Sequence, residues 1–266
     1  MRAGVESGFN CYTPFLEPLH FQYYASPRFL HCLEKNGRKA YEIEFHEHPP
    51  AGGLALTELV TFDSPTDKVL DIGTGSGVIA VGIACKNCSS IYAVDISATE
   101  CNLALRNVLR NSKDKSISVV RGNLASAFIV NAFAVVISNP PQLPTNDSNA
   151  DVRDFAGPTG YEAIDMISSQ SKNCLIVGGK LWLYVLGFLG VEERTGEFPS
   201  LFERLRSTGF EPHVVCRLRR RISQSSRVWN VISLIRALYP LSDLARNYPN
   251  VQSYDTFVVQ ALLINK

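Results

Sequence analysis

Apolar positions over residues 52–266 follow two rhythms, short continuous runs and a helical spacing, and the two alternate. The runs at 68–72, 90–95, 117–120 and 133–138 are rich in Val and Ile and are closed by Gly, Asp or Asn, which predicts buried strands. Between them, 77–86 and 97–111 read as helices, the second with Leu103, Leu105, Val108 and Leu109 at helical spacing. A helix over 54–60 precedes the first strand. The rhythm continues with a helix over 160–172, a strand over 175–186 with Gly178 and Gly179 at a turn inside it, a helix over 198–208 stopped by Gly209, and a strand over 211–219. Strict alternation of this kind predicts a parallel sheet wound with helices on both faces. A polar, then apolar stretch over about 222–250 reads as a helical insertion before a last strand at 255–264.

Residues 1–51 lack that rhythm and read as an N-terminal extension or cap on a domain spanning 52–266. They are aromatic and irregular, with a helix expected over 27–36, ended by Gly37, and an alternating strand over 39–48. Pro49-Pro50-Ala51-Gly52-Gly53 reads as a break. His46 and His48 lie on the polar side of that strand. With no cysteine or third histidine near them, a metal site is disfavoured, and substrate contact or a plain surface role stays open.

At 266 residues, nearly half of them apolar, the chain can build one large core. A net charge of +1 gives no global attraction to nucleic acid or membrane, so any basic site must be local. Seven cysteines at irregular spacing do not read as a disulfide framework, and Cys85 and Cys88 form a C-x-x-C with no second pair. With no secretory pattern at the start and an apolar run (181–191) too short to span a bilayer, the expectation is a soluble cytoplasmic protein.

Chemistry concentrates in Val69-Leu70-Asp71-Ile72-Gly73-Thr74-Gly75-Ser76-Gly77, where a strand enters three alternate glycines and a helix follows. Glycines let the backbone take left-handed dihedrals and present bare N–H groups to a ligand. A dinucleotide fingerprint G-x-G-x-x-G would need glycine where Val78 stands, which weakens that reading. Asp71 before the glycines and Asp95 at the end of the next strand complete a different pattern. The stretch resembles motif I of the class I S-adenosylmethionine methyltransferases, and Asp95 resembles their ribose-binding acid. Gly73, Gly75, Asp95, Asn123 and Asn139 all follow predicted strands, so the fold would gather them at one sheet edge.

The second motif is Ser138-Asn139-Pro140-Pro141. Two prolines fix the backbone after a strand, so the Asn139 side chain and the Pro140 carbonyl can accept hydrogens from one amino group and aim its nitrogen. This motif resembles that of amino-methylating families, the HemK-like glutamine methyltransferases of release factors and the small-domain methyltransferases of ribosomal and transfer RNA. The resemblance runs over 52–215 and includes Ala156-Gly157-Pro158-Thr159-Gly160-Tyr161, similar to a Gly-Gly-x-Asp-Gly-Leu segment with Thr159 where the acid would be. It implies a doubly wound, seven-stranded Rossmann-like sheet with the last strand antiparallel, and S-adenosyl-L-methionine as cofactor. Asp71, Gly73, Thr74, Gly75 and Gly77 would bind that cofactor with Asp95, Ile96, Asn123 and Asn139. Asn139, Pro140 and Gln142 would carry the reaction, and His46, His48, Pro141, Gln142 and Tyr161 would face the acceptor.

Gln142 departs from the family pattern, since it replaces an aromatic that stacks on a planar acceptor. An amide there favours a small amino-acid-like molecule as acceptor of N-methylation, with protein glutamine or an RNA base as the alternative. A non-catalytic binding module, with Gln142 and Thr159 as signs of decay, is the reading from another class. Arg217, Arg219 and Arg221 share one side of a predicted strand, with Arg220 between them; the run reads as a solvated edge or a phosphate contact. No membrane partner is expected.

Overall fold

The computed structural model describes residues 50–265 except 85, 87, 112–115, 148 and 152, and before them the backbone of 5–6, 10–11, 22–25, 30–35 and 38–45, with side chains from 41 onward. His46, His48 and Cys85 lie outside the described residues. The chain opens with β1 (Val5–Glu6), β2 (Asn10–Cys11), β3 (Gln22–Ala25), β4 (Leu30–Lys35) and β5 (Arg38–Glu44). β1, β3, β4 and β5 form an antiparallel sheet in that order. The helix expected over 27–36 is thereby corrected: 30–35 is extended, because pairing with β3 and β5 on either side overrides local helix propensity. β5 keeps its predicted alternation, with Ile43 and Phe45 buried and Glu42 and Glu44 half-buried.

Pro50 then stands at the N-cap of α1 (Ala51–Leu59), which begins three residues before the expected start, so Gly52 and Gly53 sit in its first turn. The alternating core follows as β6 (Lys68–Ile72), α2 (Val78–Ile83), β7 (Ser90–Asp95), α3 (Ala98–Asn111), β8 (Ser116–Arg121) and β9 (Phe133–Ser138). After a long loop come α4 (Glu162–Cys174), β10 (Leu175–Leu186), α5 (Leu201–Ser207) and β11 (Phe210–Arg221). The insertion folds as three short helices, α6 (Arg227–Asn230), α7 (Ile232–Leu238) and α8 (Asp243–Arg246), before β12 (Ser253–Leu263).

The main sheet runs β2-β11-β12-β10-β9-β6-β7-β8. β6 to β10 pair in parallel, and β12 is antiparallel to both β10 and β11. The seven predicted strands are joined by an eighth, the two-residue β2, which pairs Cys11 with Leu218 at the β11 edge. Residues from Leu181 to Val185 are buried on both faces, as a central strand covered by helices requires. Successive strands run outward from β6 through β7 to β8, whereas β9 lies on its other side, so the strand order reverses between β6 and β9. Ligands of open α/β sheets settle at such a reversal, beyond the carboxyl ends of the strands.

Among the described residues no helix is long and apolar enough to cross a membrane, and no group of three His, Cys, Asp or Glu residues could hold a metal ion. Cys88, Cys101 and Cys174 are thiols, while Cys216 is disulfide-bonded.

Candidate functional site

The glycine turn is stapled to the neighbouring strand end. Gly73 N and Thr74 N both donate to Val94 O, at 2.9 and 3.0 Å, which closes the exit of β6 against β7. Gly73, Gly75 and Gly77 all adopt left-handed φ, at +70°, +52° and +77°. Their surroundings differ. A methyl group placed on Gly73 or Gly75 would meet nothing within 4 Å, whereas on Gly77 it would sit 3.2 Å from Ala104 Cα. The first two therefore leave an open cradle. Gly77, expected to bind cofactor, is buried and serves the close packing of α2 on α3.

Asp95 closes one wall of the cradle. Its Oδ2 accepts from Gly75 N and its Oδ1 from Ser97 N, both at 2.9 Å, so about two of its roughly four lone-pair sites remain for other donors. Ile96 beside it is 59% exposed, an apolar surface next to the open turn. Gly122 N donates to Asp95 O at 2.9 Å, which draws the exposed Asn123 to the same rim. On the expectation that Asp95 also accepts from the hydroxyls of a bound ribose, Asp95→Ala removes charge-assisted bonds worth about 1.5–3 kcal/mol each. Affinity for S-adenosylhomocysteine, measured by titration calorimetry, is expected to fall roughly tenfold to a hundredfold.

Asp71 lies beneath the turn. Thr74 Oγ1 donates to its Oδ2 at 2.6 Å, and its Oδ1 has no partner in this fully buried place. Thr74 thus anchors the turn from below, its side chain bonded inward. Burial, more than the charge of Asp95, pushes the Asp71 carboxyl up from 3.8 to about 7, against the pull of the Thr74 hydroxyl. An acid raised on folding binds its proton more tightly when folded, so its contribution to stability is complete below about pH 4 and is lost as pH rises through about 7. Unfolding free energy of the ligand-free protein is expected to fall across that window by on the order of a few kcal/mol. Denaturant melts of Asp71→Asn should show a flatter profile.

Ser138 Oγ donates to Ile72 O at 2.8 Å and locks the end of β9 to the end of β6, so Asn139 emerges beside the glycine turn. Among the described residues none hydrogen-bonds the Asn139 amide. The side chain is instead confined by van der Waals contact. A methyl group on Gly52 of α1 would lie 2.3 Å from Asn139 Oδ1 and 2.4 Å from Tyr184 Cδ1, so only a bare Cα fits between them. Sequence reasoning missed both Gly52 and Tyr184, although a glycine pair just inside a helix start is a usable sign of close approach.

Two expected acceptor contacts turn away from the site. Gln142 is 3% exposed; its Nε2 donates to Tyr184 O (2.8 Å) and Pro140 O (3.1 Å), and its Oε1 accepts from Leu186 N (2.7 Å). The amide is fully committed to tying the Asn-Pro-Pro loop to β10 and offers nothing to an acceptor. Tyr161 is also buried, its hydroxyl shared between Leu189 O and Gly190 O and its ring 4.0 Å beneath the Arg204 guanidinium. Gly160 supports the same loop, since a methyl group there would meet Gln142 O at 2.4 Å. Thr159, in the place of the family's acid, donates through N and Oγ1 to Glu162 Oε1 at 3.0 and 2.8 Å and accepts from Tyr161 N at 3.2 Å, just ahead of α4. Pro141 stays half-buried at the loop.

The basic run is only partly neutralised, since one carboxylate meets two of its four arginines. Arg217 pairs with Asp255 on β12, and Arg219 reaches both Asp255 and Ser253. Arg220 turns to the other side, over the Tyr254 ring.

A family model for the methyltransferase small domain matches residues 51–210. The release factor glutamine methyltransferase of Deinococcus radiodurans is 30% identical over 171 residues, which is 60% of this chain and 57% of that protein. That of Rhodopirellula baltica is 35% identical over 132 residues, 45% of this chain and 44% of the relative. The chain thus spans about half the length of such curated relatives. A putative protein N5-glutamine methyltransferase of Methanocaldococcus jannaschii is 29% identical over 181 residues, 66% of this chain and 86% of its own length. Among solved structures, the Bacillus subtilis YcgJ protein superposes with a TM-score of 0.54 at 14% identity, over 80% of this chain and 98% of its own. Pyrococcus horikoshii TYW2, solved in complex with MeSAdo, has the same TM-score at 11% identity, over 92% of this chain and 75% of its own. These two likenesses are of fold.

Proposed function

Because the chain belongs to the methyltransferase small-domain family, within the HemK-like group of class I S-adenosylmethionine methyltransferases, we propose that it transfers a methyl group from S-adenosylmethionine to a side-chain amide nitrogen of protein glutamine. The observation that carries this reading is the unspent Asn139 amide on the same sheet edge as the bare turn of Gly73 and Gly75. The residues fit the cofactor: an open cradle, spare acceptor capacity on Asp95, and exposed Ile96 and Asn123 beside it. When bound, S-adenosylmethionine supplies an electrophilic methyl group on a sulfonium.

The chain's own part is to hold the nitrogen in line. Asn139 Oδ1 accepts one hydrogen of the acceptor. Pro140 O already receives Gln142 Nε2 and keeps a second lone pair for the other hydrogen. Holding both hydrogens fixes the direction of the nitrogen lone pair, and much of the barrier to such a transfer is positional. The nitrogen attacks while neutral and, once methylated, gives up one of its two hydrogens as a proton to water, so no base is needed before the transfer.

A small amino-acid-like acceptor loses its support, because it rested on Gln142 facing the site, and that amide is spent on backbone. An RNA base has less support, as Asp255 meets two of the four arginines and the relatives are named for protein glutamine. The test is incubation with methyl-labelled cofactor and cell extract separated into protein, RNA and small-molecule fractions, with label expected on protein glutamine. Label in the small-molecule fraction would restore the first acceptor class, and label in RNA the second. Cofactor binding without label in any fraction would leave a binding module. S-adenosylhomocysteine at a hundred times its dissociation constant is expected to stabilise the fold by about 2.7 kcal/mol, read as a thermal shift of several degrees, and NAD is expected to give none.

A further inference from the structure

Among the described residues, one side chain hydrogen-bonds both the N-terminal sheet and the cofactor turn. Asn107, in the middle of α3, is completely buried and uses every hydrogen-bonding site it has. Its Oδ1 accepts from Glu44 N at 2.9 Å and from Arg110 Nη1 at 3.1 Å, while its Nδ2 donates to Glu44 O at 2.9 Å and to Ser76 O at 2.8 Å. Ser76 stands between Gly75, whose N–H is fixed by Asp95, and Gly77, whose Cα rests on Ala104 one turn before Asn107. One amide therefore grips the open edge of β5 with one hydrogen and the glycine turn with the other.

Asn111 repeats half of this arrangement. Its Oδ1 accepts from Glu42 N at 2.8 Å and its Nδ2 donates to Glu42 O at 2.6 Å, with no bond to the turn. The geometry is a match of spacings. Four residues of helix rise about 6 Å, and alternate residues of a strand advance about 6.6 Å, so amides at i and i+4 meet successive outward-facing peptides of a strand edge. Glu44 adds ion pairs to Arg106 and Arg110. Asparagine is a poor residue for a helix interior, and two at this spacing on a buried face call for a partner of this kind.

We propose that Asn107 is a positioning residue that couples docking of β5 to the conformation of the cofactor turn, so that filling the turn tightens the N-terminal sheet and loosening that sheet weakens cofactor binding. The proposal rests on the reading of Gly73 to Gly77 as part of an S-adenosylmethionine site. Coupling of this kind is reciprocal, so it can be read from either end.

Titration with S-adenosylhomocysteine tests it from the strand. Asn111→Ala, which removes both bonds to Glu42 and the Nδ2 bond to Asn107 O (2.7 Å), is expected to raise the dissociation constant about three- to tenfold, although Asn111 makes no bond to the turn. The same substitution in an Asn107→Ala background should change it less than twofold, because the connection is already cut. An unchanged constant in Asn111→Ala, or an equal effect in both backgrounds, would overturn the proposal. Should Asn107→Ala fail to fold, hydrogen exchange on the unaltered protein serves: S-adenosylhomocysteine is expected to slow the Glu42 and Glu44 amides at least tenfold, and unaltered exchange with the ligand bound would refute the coupling. Failure of the ligand to bind at all would instead remove the cofactor reading, and the proposal with it.

Discussion

Asn139→Ala is expected to lower methyl transfer about a hundredfold or more and to leave the affinity for S-adenosylhomocysteine within a few fold. In the proposed reading the cofactor cradle is Gly73 and Gly75, just after β6, with Asp95 at the end of β7, and none of their hydrogen bonds involves the Asn139 amide. Asn139 is fixed by its strand, through Ser138 and Ile72, and by the Gly52 contact. Removing its side chain should therefore spare the fold while the acceptor loses one of the two groups that aim its nitrogen. A misplacement of about 1 Å in an aligned transfer can cost a factor of about a hundred. Single-turnover rates beside calorimetric titration check both halves. Loss of cofactor binding with the fold intact would move Asn139 into the cofactor pocket.

The same loss of rate is expected from Gly52→Ala, a residue that donates nothing. Its added methyl group would have to occupy space 2.3 Å from Asn139 Oδ1 and 2.4 Å from the Tyr184 ring. Real carbon atoms do not approach so closely, so one neighbour must move. Tyr184 is buried within β10 and cannot yield without repacking, whereas the Asn139 side chain can rotate. Turnover should fall about a hundredfold, with a stability cost of about 1–3 kcal/mol from overpacking. A denaturant melt separates the two effects. Full activity in a folded Gly52→Ala protein would show that the Asn139 amide is not held by α1.

Much of the fold was legible because its parallel half is built from continuous apolar runs, and a strand buried on both faces leaves no other pattern. The positions of Gly73, Asp95, Asn123 and Asn139 followed from the same fact, since each stands where a run ends. What escaped were side chains whose direction depends on a distant partner. Gln142 follows the Asn-Pro-Pro motif and so looked like a ligand contact, yet the two free groups on β10, Tyr184 O and Leu186 N, claim its amide. Tyr161 went the same way, drawn inward by two carbonyls beyond the end of β10. Gly52 reads as a chain breaker until the ring and amide pressed against it are known. β4 was mistaken for a helix because its extended form comes from two flanking strands, and pairing partners leave no mark within a six-residue segment.

The placement of β12 also bears on the order in which the molecule can assemble. Strands β6 to β10 find their neighbours among segments already synthesised, so the half that carries the glycine turn and Asn139 can form from chain emerging in sequence. Among segments already synthesised β11 has only the two-residue β2, at its outer edge, because the strand that joins it to β10 is β12, which follows the whole helical insertion. Until β12 slides between them, two twelve-residue strands each present an open edge, the kind of surface that pairs with other chains. A nascent chain halted within the insertion would therefore hold a nearly complete catalytic edge and an unclosed sheet, and its hazard would be aggregation through β10 and β11, with the chemistry already in place.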